Sequence, residues 1–328
     1  MKAILHDRFG PPDVLELREI DEPQAGDGEV LVRVRAASVN PADWYAVMGI
    51  PWIVRPQIGL RRPRPRSNRP GLDLAGVVAG VGGNVTRFQP GDEVFGTGTG
   101  TLAEYVAVAE DALALKPANL SFEQAAAVPV AALTALQGLR DKGRIQPGQQ
   151  VLVNGASGGV GTFAVQLAKT LGAEVTAVCS TRNVDVASSL GADRVIDYTR
   201  EDFTRGDRRH DLLLDVAGSR PWSACRRVLT PEARLVLVGA PKGSRLLGPL
   251  GHIAKVRLAS LRASQKVVFF ISKSSREDLT VLAELLEAGT VTPVVERSYP
   301  LPEAADALRH LGEGHAQGKL AILVEDAQ

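Results

Sequence analysis

The chain has 328 residues, 45% of them apolar and 23% charged, with a formal net charge of +1. That length fits two domains, and the composition is that of an ordinary globular protein able to bury large cores. Near-zero charge gives no global attraction to nucleic acid or to a membrane surface, and two distant cysteines, Cys179 and Cys225, exclude a disulfide framework and a Cys-rich zinc site. The start, Met1 to Asp7, lacks the apolar core of a signal peptide, and no stretch approaches about 18 uncharged apolar residues, so a cytosolic protein with no membrane span is expected.

Residues 1 to about 117 read mostly as β structure. Val30, Val32 and Val34 alternate with Leu31, Arg33 and Arg35, and Leu15 and Leu17 alternate with Glu16 and Arg18, which predicts half-buried strands with one face in a core. Gly26-Asp27-Gly28 and Pro90-Gly91-Asp92 punctuate them. From about 122 the period changes to helical: an Ala- and Leu-rich stretch runs from Phe122 to Leu139, with Ser121 and Gln124 as a capping box at its start. Strands follow at 151–154, 174–179, 194–198, 211–216, 234–238 and 267–271, with helical patterns between most of them. This alternation predicts an α/β doubly wound parallel sheet covered on both faces. Ser275, with Asp278 three residues on, opens a last amphipathic helix through Leu279, Leu282, Leu285 and Leu286, which Gly289 ends. After Pro293 the pattern is β again, with a final strand from Lys319 to Val324. The tail is expected to return to the first domain, giving one domain from 1–120 with 294–328 and an inserted one at 121–293.

The sheet of the inserted domain opens on Gln150-Val151-Leu152-Val153-Asn154, a β-branched run that meets Gly155, Ala156, Ser157, Gly158, Gly159, Val160 and Gly161 and then a helical pattern to Leu171. Strand, glycine turn and helix in that order deliver free backbone N–H groups and the positive end of a helix dipole, which favour a pyrophosphate. Small residues at 156, 158 and 161 let the backbone approach it. A glycine triplet alone is weak evidence; the flanking strand, helix and second strand at 174–179 raise it to a dinucleotide-binding βαβ unit. The alternative is a glycine turn that only packs helix on sheet.

Motifs along the whole chain carry a resemblance. They are Met1-Lys2-Ala3, Ala37 to Asp43, Gly71-Leu72-Asp73-Leu74-Ala75-Gly76, Gly91 to Gly96, Ala103-Glu104-Tyr105, Gly155 to Gly161, Leu190-Gly191-Ala192-Asp193 and Gly314 to Lys319. In that order they resemble the medium-chain dehydrogenase/reductase superfamily, and within it the zinc-independent quinone oxidoreductase branch that includes zeta-crystallin. The resemblance implies a GroES-like β catalytic domain, an inserted Rossmann domain and a nicotinamide cofactor in the cleft between them. Positions that hold catalytic zinc in other branches correspond to Asn40, Leu72 and Val130, none a plausible ligand, and the five histidines show no ligand spacing, so no metal is expected.

Without a Lewis acid the acceptor has to be activated by conjugation, as a quinone or an α,β-unsaturated carbonyl is. Positioning and hydrogen bonding of the developing oxyanion are then the protein's part. By resemblance Asn40 sits near nicotinamide and substrate, although an Asn before Pro41 also suits a turn cap. Thr134 stands where the family places a hydroxyl by the nicotinamide, or is a helix-interior threonine. Asp43, Tyr45 and Trp52 complete the candidate substrate residues. Many relatives carry a tyrosine shortly after the Asn-Pro segment that is missing here, and Tyr45 or Trp52 would have to replace it. This weakens the alternative of an enoyl-thioester reductase.

The cofactor's identity is argued from the end of the second strand. An NAD-selective site wants a carboxylate there for the ribose 2′-OH, whereas this chain has Ser180-Thr181-Arg182-Asn183, so NADPH is expected, with Arg182 as the 2′-phosphate partner unless it is an ordinary surface arginine. Resemblance places Tyr198 on the adenine-phosphate side, and Val238, Gly239 and Ala240 with Phe269, Phe270 and Ile271 at the nicotinamide end. Arg55 to Arg69 holds six arginines and no acid; it reads as a solvated loop or as an attractor of anionic substrates. An NADPH-binding protein without turnover is the reading of another class, and nucleic-acid binding is disfavoured by the charge and by the lack of aromatic interleaving. Finally, Lys266 to Ile271 is an apolar edge strand that predicts a homodimer, unless a helix or residues 243–264 cover it.

Overall fold

The computed structural model describes residues 1–65, 67–239, 241 and 246–324, and the chain divides into two compact units, Met1–Leu133 with everything from Ser274 onward, and Thr134–Lys273. The second unit is built on six parallel strands in the spatial order Arg194–Asp197, Glu174–Cys179, Gln150–Asn154, His210–Asp215, Leu229–Leu237 and Lys266–Phe269. From Gln150–Asn154 two strands step one way and three the other, which is the doubly wound order. Val151, Leu152 and Val153 are all buried, as a strand covered on both faces requires. The order reverses between Gln150–Asn154 and His210–Asp215, the place where ligands bind in such sheets.

The first unit holds a seven-stranded sheet in the order Val295–Pro300, Lys319–Leu323, Glu29–Val39, Asp73–Val81, Glu93–Thr97 and Leu113–Leu115, with Tyr105–Ala109 also pairing Glu29–Val39. Val30, Val32 and Val34 face its core. The tail enters this sheet directly: Leu320 lies opposite Val39 and Leu323 opposite Ala36 in antiparallel register.

Several expectations change in detail. Leu17 is 38% exposed, because its strand, Glu16–Glu19, pairs only with Lys2–Leu5 in a separate two-stranded sheet and has no core face of its own. The helical stretch from Phe122 is broken by Pro129, which cannot donate to the turn before it, into Phe122–Ala126 and Pro129–Gln137, followed by a π turn at Gly138–Gly143. Its start is capped as read: Gln124 N–H donates to Ser121 Oγ and Ser121 N–H to Gln124 Oε1, both at 3.1 Å. Residues 121–133 and 274–293, read as part of the inserted domain, group with the first unit. Phe122–Ala126 packs on the Glu29–Val39 and Asp73–Val81 strands, and Arg276–Glu287 packs on Leu113–Leu115, with Asn119 Nδ2 donating to Leu286 O at 2.9 Å. The edge strand stops at Phe269, and Ile271 beyond it is 79% exposed. Among the described residues no helix is long and apolar enough to cross a membrane.

Candidate functional site

In the second unit the glycine turn is held by the neighbouring strand: the N–H groups of Gly155 and Ala156 donate to Val178 O at 3.1 and 3.0 Å. Gly155 has φ of 89°, which only glycine adopts without strain. A Cβ on Gly161 would lie 2.1 Å from Gly155 O, so turn and helix pack too closely for any side chain there. Gly158 differs. A Cβ on it would meet nothing nearer than Gly155 O at 3.8 Å, so the missing side chain leaves an open cradle rather than a packed contact.

Gly158 is also the N-cap of the twelve-residue helix Gly159–Thr170 and has no side chain to occupy the first-turn N–H groups. Open space, free donors and a helix N-terminus at a sheet switch point fit a dinucleotide pyrophosphate. Ser157 and Val160 line the turn half-buried, and Ala156 is buried beneath it.

The turn's neighbours are set by the same sheet. Ser180 N-caps the 3-10 turn Thr181–Asn183 directly after the second strand, and Asn183 Nδ2 donates to its Oγ at 3.2 Å. Arg182 is exposed on that turn, and Tyr198 is exposed where its N–H donates to Cys179 O at 3.0 Å. Asp197, which the sequence reading passed over, stands beside them in register with Cys179. Thr181 Oγ1 donates to it at 2.6 Å, the hydroxyl and N–H of Thr199 at 2.7 and 3.0 Å, and Arg200 pairs with it at 3.3 Å. The Thr181 hydroxyl bond, ahead of other donors, holds this carboxyl below its usual range, so it stays ionised but fully engaged.

At the far strands, Val238 and Gly239 N–H groups donate to Asp215 O at 3.0 and 3.2 Å, and a Cβ on Gly239 would lie 2.0 Å from Val216 O. Ala240 lies outside the described residues. Phe269 ends the edge strand half-buried, and Phe270 turns back over Gly138, with the Lys142 ammonium 6.0 Å from its ring. Thr134 meets this segment: its hydroxyl is 2.8 Å from that of Ser272, and Gln137 exchanges hydrogen bonds with Lys273 at 2.9 and 3.0 Å. Thr134 and the segment after Phe270 are thus brought together, as are the glycine turn and Ser180. At the switch point itself, Asn154 Nδ2 and Gly218 N–H donate to Asp215 Oδ1 at 2.7 and 2.8 Å, while Asp215 Oδ2 is buried with no partner among the described residues.

In the first unit the candidate Asn40 is buried at the start of helix Pro41–Met48. Its Nδ2 donates to Asp73 Oδ2 at 2.8 Å and its Oδ1 accepts from Lys319 Nζ at 2.6 Å. A carboxylate cannot donate and an ammonium cannot accept, so these two partners fix which way the amide faces. Lys319 spends its other hydrogens on Val39 O at 3.2 Å and Asp73 Oδ2 at 3.0 Å, with Ser38 Oγ donating to the same oxygen at 2.7 Å and the Val130 N–H to Oδ1 at 2.8 Å.

Ser38, Asp73 and Lys319 are the residues that sequence reasoning did not single out. The signal was present in two charges heading otherwise apolar strands, Asp73-Leu74-Ala75 and Lys319-Leu320-Ala321-Ile322. Buried charges of opposite sign require each other.

Asp43 completes the cluster. Its Oδ2 accepts from the Asn40 N–H at 2.8 Å and its Oδ1 from the Gly71 N–H at 3.0 Å. Burial, reinforced by the Asp73 charge and opposed by those two donors, pushes its carboxyl up to about 6. Tyr45 is half-buried, edge-on to Trp44 at 5.2 Å, with burial raising its hydroxyl; Trp52 is exposed and lies under the Arg55 guanidinium at 5.5 Å. Neither is joined to the Asn40 cluster by any hydrogen bond described above.

Residues 26–118 match the family model described as an alcohol dehydrogenase GroES-like domain, and residues 190–322 match that of a zinc-binding dehydrogenase. The chloroplastic quinone-oxidoreductase QR1 of Triphysaria versicolor is 31% identical over 98% of both chains. A 2-methylene-furan-3-one reductase of Solanum lycopersicum is 35% identical over 98% of this chain and 79% of its own length. Among solved structures, an Escherichia coli quinone oxidoreductase complexed with NADPH superposes with a TM-score of 0.82 at 27% identity, covering 98% of this chain and 100% of that one.

The raised carboxyl of Asp43 makes a prediction about stability. A folded-state value near 6 lies above that of the unfolded chain, so between pH about 4 and 6 the folded state holds a proton the unfolded state has lost. Stability from this group therefore falls as pH rises through that window and is regained on acidification. Urea midpoints at pH 7 and pH 5 should show a gain on acidification that is smaller in Asp43→Asn than in the wild type. Equal gains in both would remove Asp43 as its source.

Proposed function

The chain belongs to the medium-chain dehydrogenase/reductase superfamily, among its quinone oxidoreductases, and on that premise we propose that its hydride donor is NADPH rather than NADH. It is a nicotinamide-dependent oxidoreductase that passes hydride to a quinone or an α,β-unsaturated carbonyl. The observation that supports NADPH is the turn Thr181–Asn183: it offers hydroxyls and the Arg182 guanidinium and no carboxylate of its own. A guanidinium meets a phosphate with two parallel hydrogen bonds, which a ribose hydroxyl cannot reciprocate. Asp197 keeps its negative charge beside this turn, and the Arg200 guanidinium at 3.3 Å is what offsets it.

When bound, the nicotinamide supplies the hydride; the chain supplies position and donors. The first-turn N–H groups at Gly159 and Val160 hold the pyrophosphate, and Thr134 with Ser272 forms a hydroxyl pair for the nicotinamide end. Asn40 commits one amide hydrogen to Asp73 and keeps the other for the acceptor's developing oxyanion. No metal enters this reading. Of the three positions where zinc would be held, Asn40 has its Oδ1 taken by the Lys319 ammonium, and Val130 and Leu72 have no metal-binding atom in their side chains. Among the described residues there is no group of three or more His, Cys, Asp or Glu side chains that could hold a metal ion. A cytosolic location goes with the same reading.

Three outcomes test it. Arg182→Ala should weaken NADPH binding by roughly 1.5–3 kcal/mol and leave NADH nearly unchanged, as read by fluorescence titration; equal losses would sink the assignment. Purified protein should hold no stoichiometric zinc by elemental analysis and keep its turnover in chelator, whereas zinc required for turnover would overturn the metal-free reading. The four-residue edge strand Lys266–Phe269, half-buried at Val267, Val268 and Phe269, should pair with its own copy, so light scattering at micromolar concentration should give a dimer mass rather than that of a monomer.

A further inference from the structure

Between Trp44 and Leu72 the sequence carries six arginines and no carboxylate, and hydride transfer as derived above uses none of them. All but Arg66 lie within the described residues. The turn Trp52–Val54 runs into Arg55–Ile58, and Gly59, with φ of 128°, reverses the chain. Arg64 then ties it back, its N–H donating to Ile58 O and its Nη2 to Pro56 O, both at 2.9 Å. A Cβ on Gly59 would lie 2.0 Å from Arg62 O, so this reversal requires glycine. The result is a locally closed protrusion, anchored by Arg55, whose Nε donates to Gly49 O at 2.9 Å and whose guanidinium lies 4.9 Å from the Phe9 ring.

What the protrusion shows outward is apolar and cationic together. Trp52 is 46% exposed, Ile53 56% and Leu60 69%, and Arg61, Arg62, Arg64 and Arg69 are exposed beside them in sequence. Single exposed apolar side chains are ordinary, but three large ones within nine residues, on a segment that belongs to no sheet, call for a partner. Asp7, the acid that feels Arg62, is already bound to Arg18 at 2.7 Å and offers little neutralisation.

We propose that the segment on either side of Gly59 docks this protein peripherally on an anionic lipid bilayer, with Trp52, Ile53 and Leu60 entering the headgroup boundary and Arg61, Arg62, Arg64 and Arg69 meeting lipid phosphates. Opposite charge and an apolar layer beneath it are what this surface matches. A second copy suits it poorly, because a two-fold contact would set one arginine cluster against the other. Single-stranded nucleic acid would find one aromatic to stack on and two aliphatic side chains with no role. The proposal goes beyond the reductase reading and does not rest on it.

The full chain is tested with vesicles of phosphatidylcholine alone and of phosphatidylcholine with phosphatidylglycerol. Co-sedimentation should require the anionic lipid and decline in about 0.5 M salt, where charges are screened within a few ångströms. Binding should blue-shift tryptophan emission, and Trp52→Phe should abolish the shift while sedimentation persists. Combined Arg61→Gln, Arg62→Gln and Arg69→Gln should lower the partition coefficient at least about tenfold. Ile53→Ser with Leu60→Ser should lower it with the melting temperature unchanged; if that pair fails to fold, the arginine variant and the Trp52 shift still decide. Equal partition onto neutral vesicles, no shift from Trp52, self-association through the same residues, or arginine-dependent binding of an oligonucleotide in place of vesicles would each overturn the proposal.

Discussion

Asp73 is fully buried, and its two oxygens are met by Ser38, Asn40 and Lys319 on one side and by the Val130 N–H on the other. Those partners come from the end of the Glu29–Val39 strand, the residue that opens helix Pro41–Met48, the first residue of the Lys319–Leu323 strand and the start of helix Pro129–Gln137. A buried carboxylate is costly unless every lone pair is answered, and removing one partner strands the remaining charge, at roughly 3–5 kcal/mol. The five elements are therefore locked to one point more tightly than apolar packing alone would hold them. Asn40 inherits that rigidity, and a donor that has to face a developing oxyanion gains from being oriented before the substrate arrives.

The second unit solves a related problem without a cation. Its strand ends are tied at Asp215, whose backbone oxygen takes the Val238 and Gly239 N–H groups while its Oδ1 takes Asn154 and Gly218. Burial pushes this carboxyl up to about 6 against the Gly218 and Asn154 donors, which fits a group whose second oxygen has no partner among the described residues. The tie lies one residue from the glycine turn, since Asn154 both binds Asp215 and precedes Gly155. Closeness of the strand ends makes Gly239 necessary, the positive φ of the turn makes Gly155 so and the packing of turn on helix Gly161, while the lack of a side chain at Gly158 leaves the cradle open.

What could be read from the sequence was what is local. The capping pairs Ser121 with Gln124 and Ser275 with Asp278 act over three residues, and the glycine turn declares itself by the strand and helix on either side. Lys319 and Asp73 are separated by 246 residues, and no period or spacing links them. A search for charges heading apolar strands would have marked each one separately and left their pairing to the fold. Leu17 misled because alternation gives a strand's faces but not whether anything covers them, and Asp197 was missed because the end of the third strand becomes a neighbour of the second only through sheet register. Pro129 was the opposite case, a local signal in plain view that an Ala-rich composition outweighed.

The choice of lysine at 319 follows from the shape of the site. Its three acceptors, Val39 O, Asn40 Oδ1 and Asp73 Oδ2, surround one nitrogen at 3.2, 2.6 and 3.0 Å, a convergence that the three hydrogens of an ammonium satisfy. A guanidinium carries its donors on a planar fork spread over three nitrogens and could not meet all three acceptors from one point. With Asp43 next to Asp73, the cluster still holds two carboxyls and one ammonium. The imbalance falls on Asp43 because burial and the Asp73 charge outweigh the two backbone N–H groups that bond it and the more distant pull of Lys319, whose three hydrogens are bonded elsewhere. A carboxyl that burial pushes up to about 6 is thus bonded to the backbone N–H of Asn40, so its protonation changes the charge beside the residue whose side chain bridges Asp73 and Lys319.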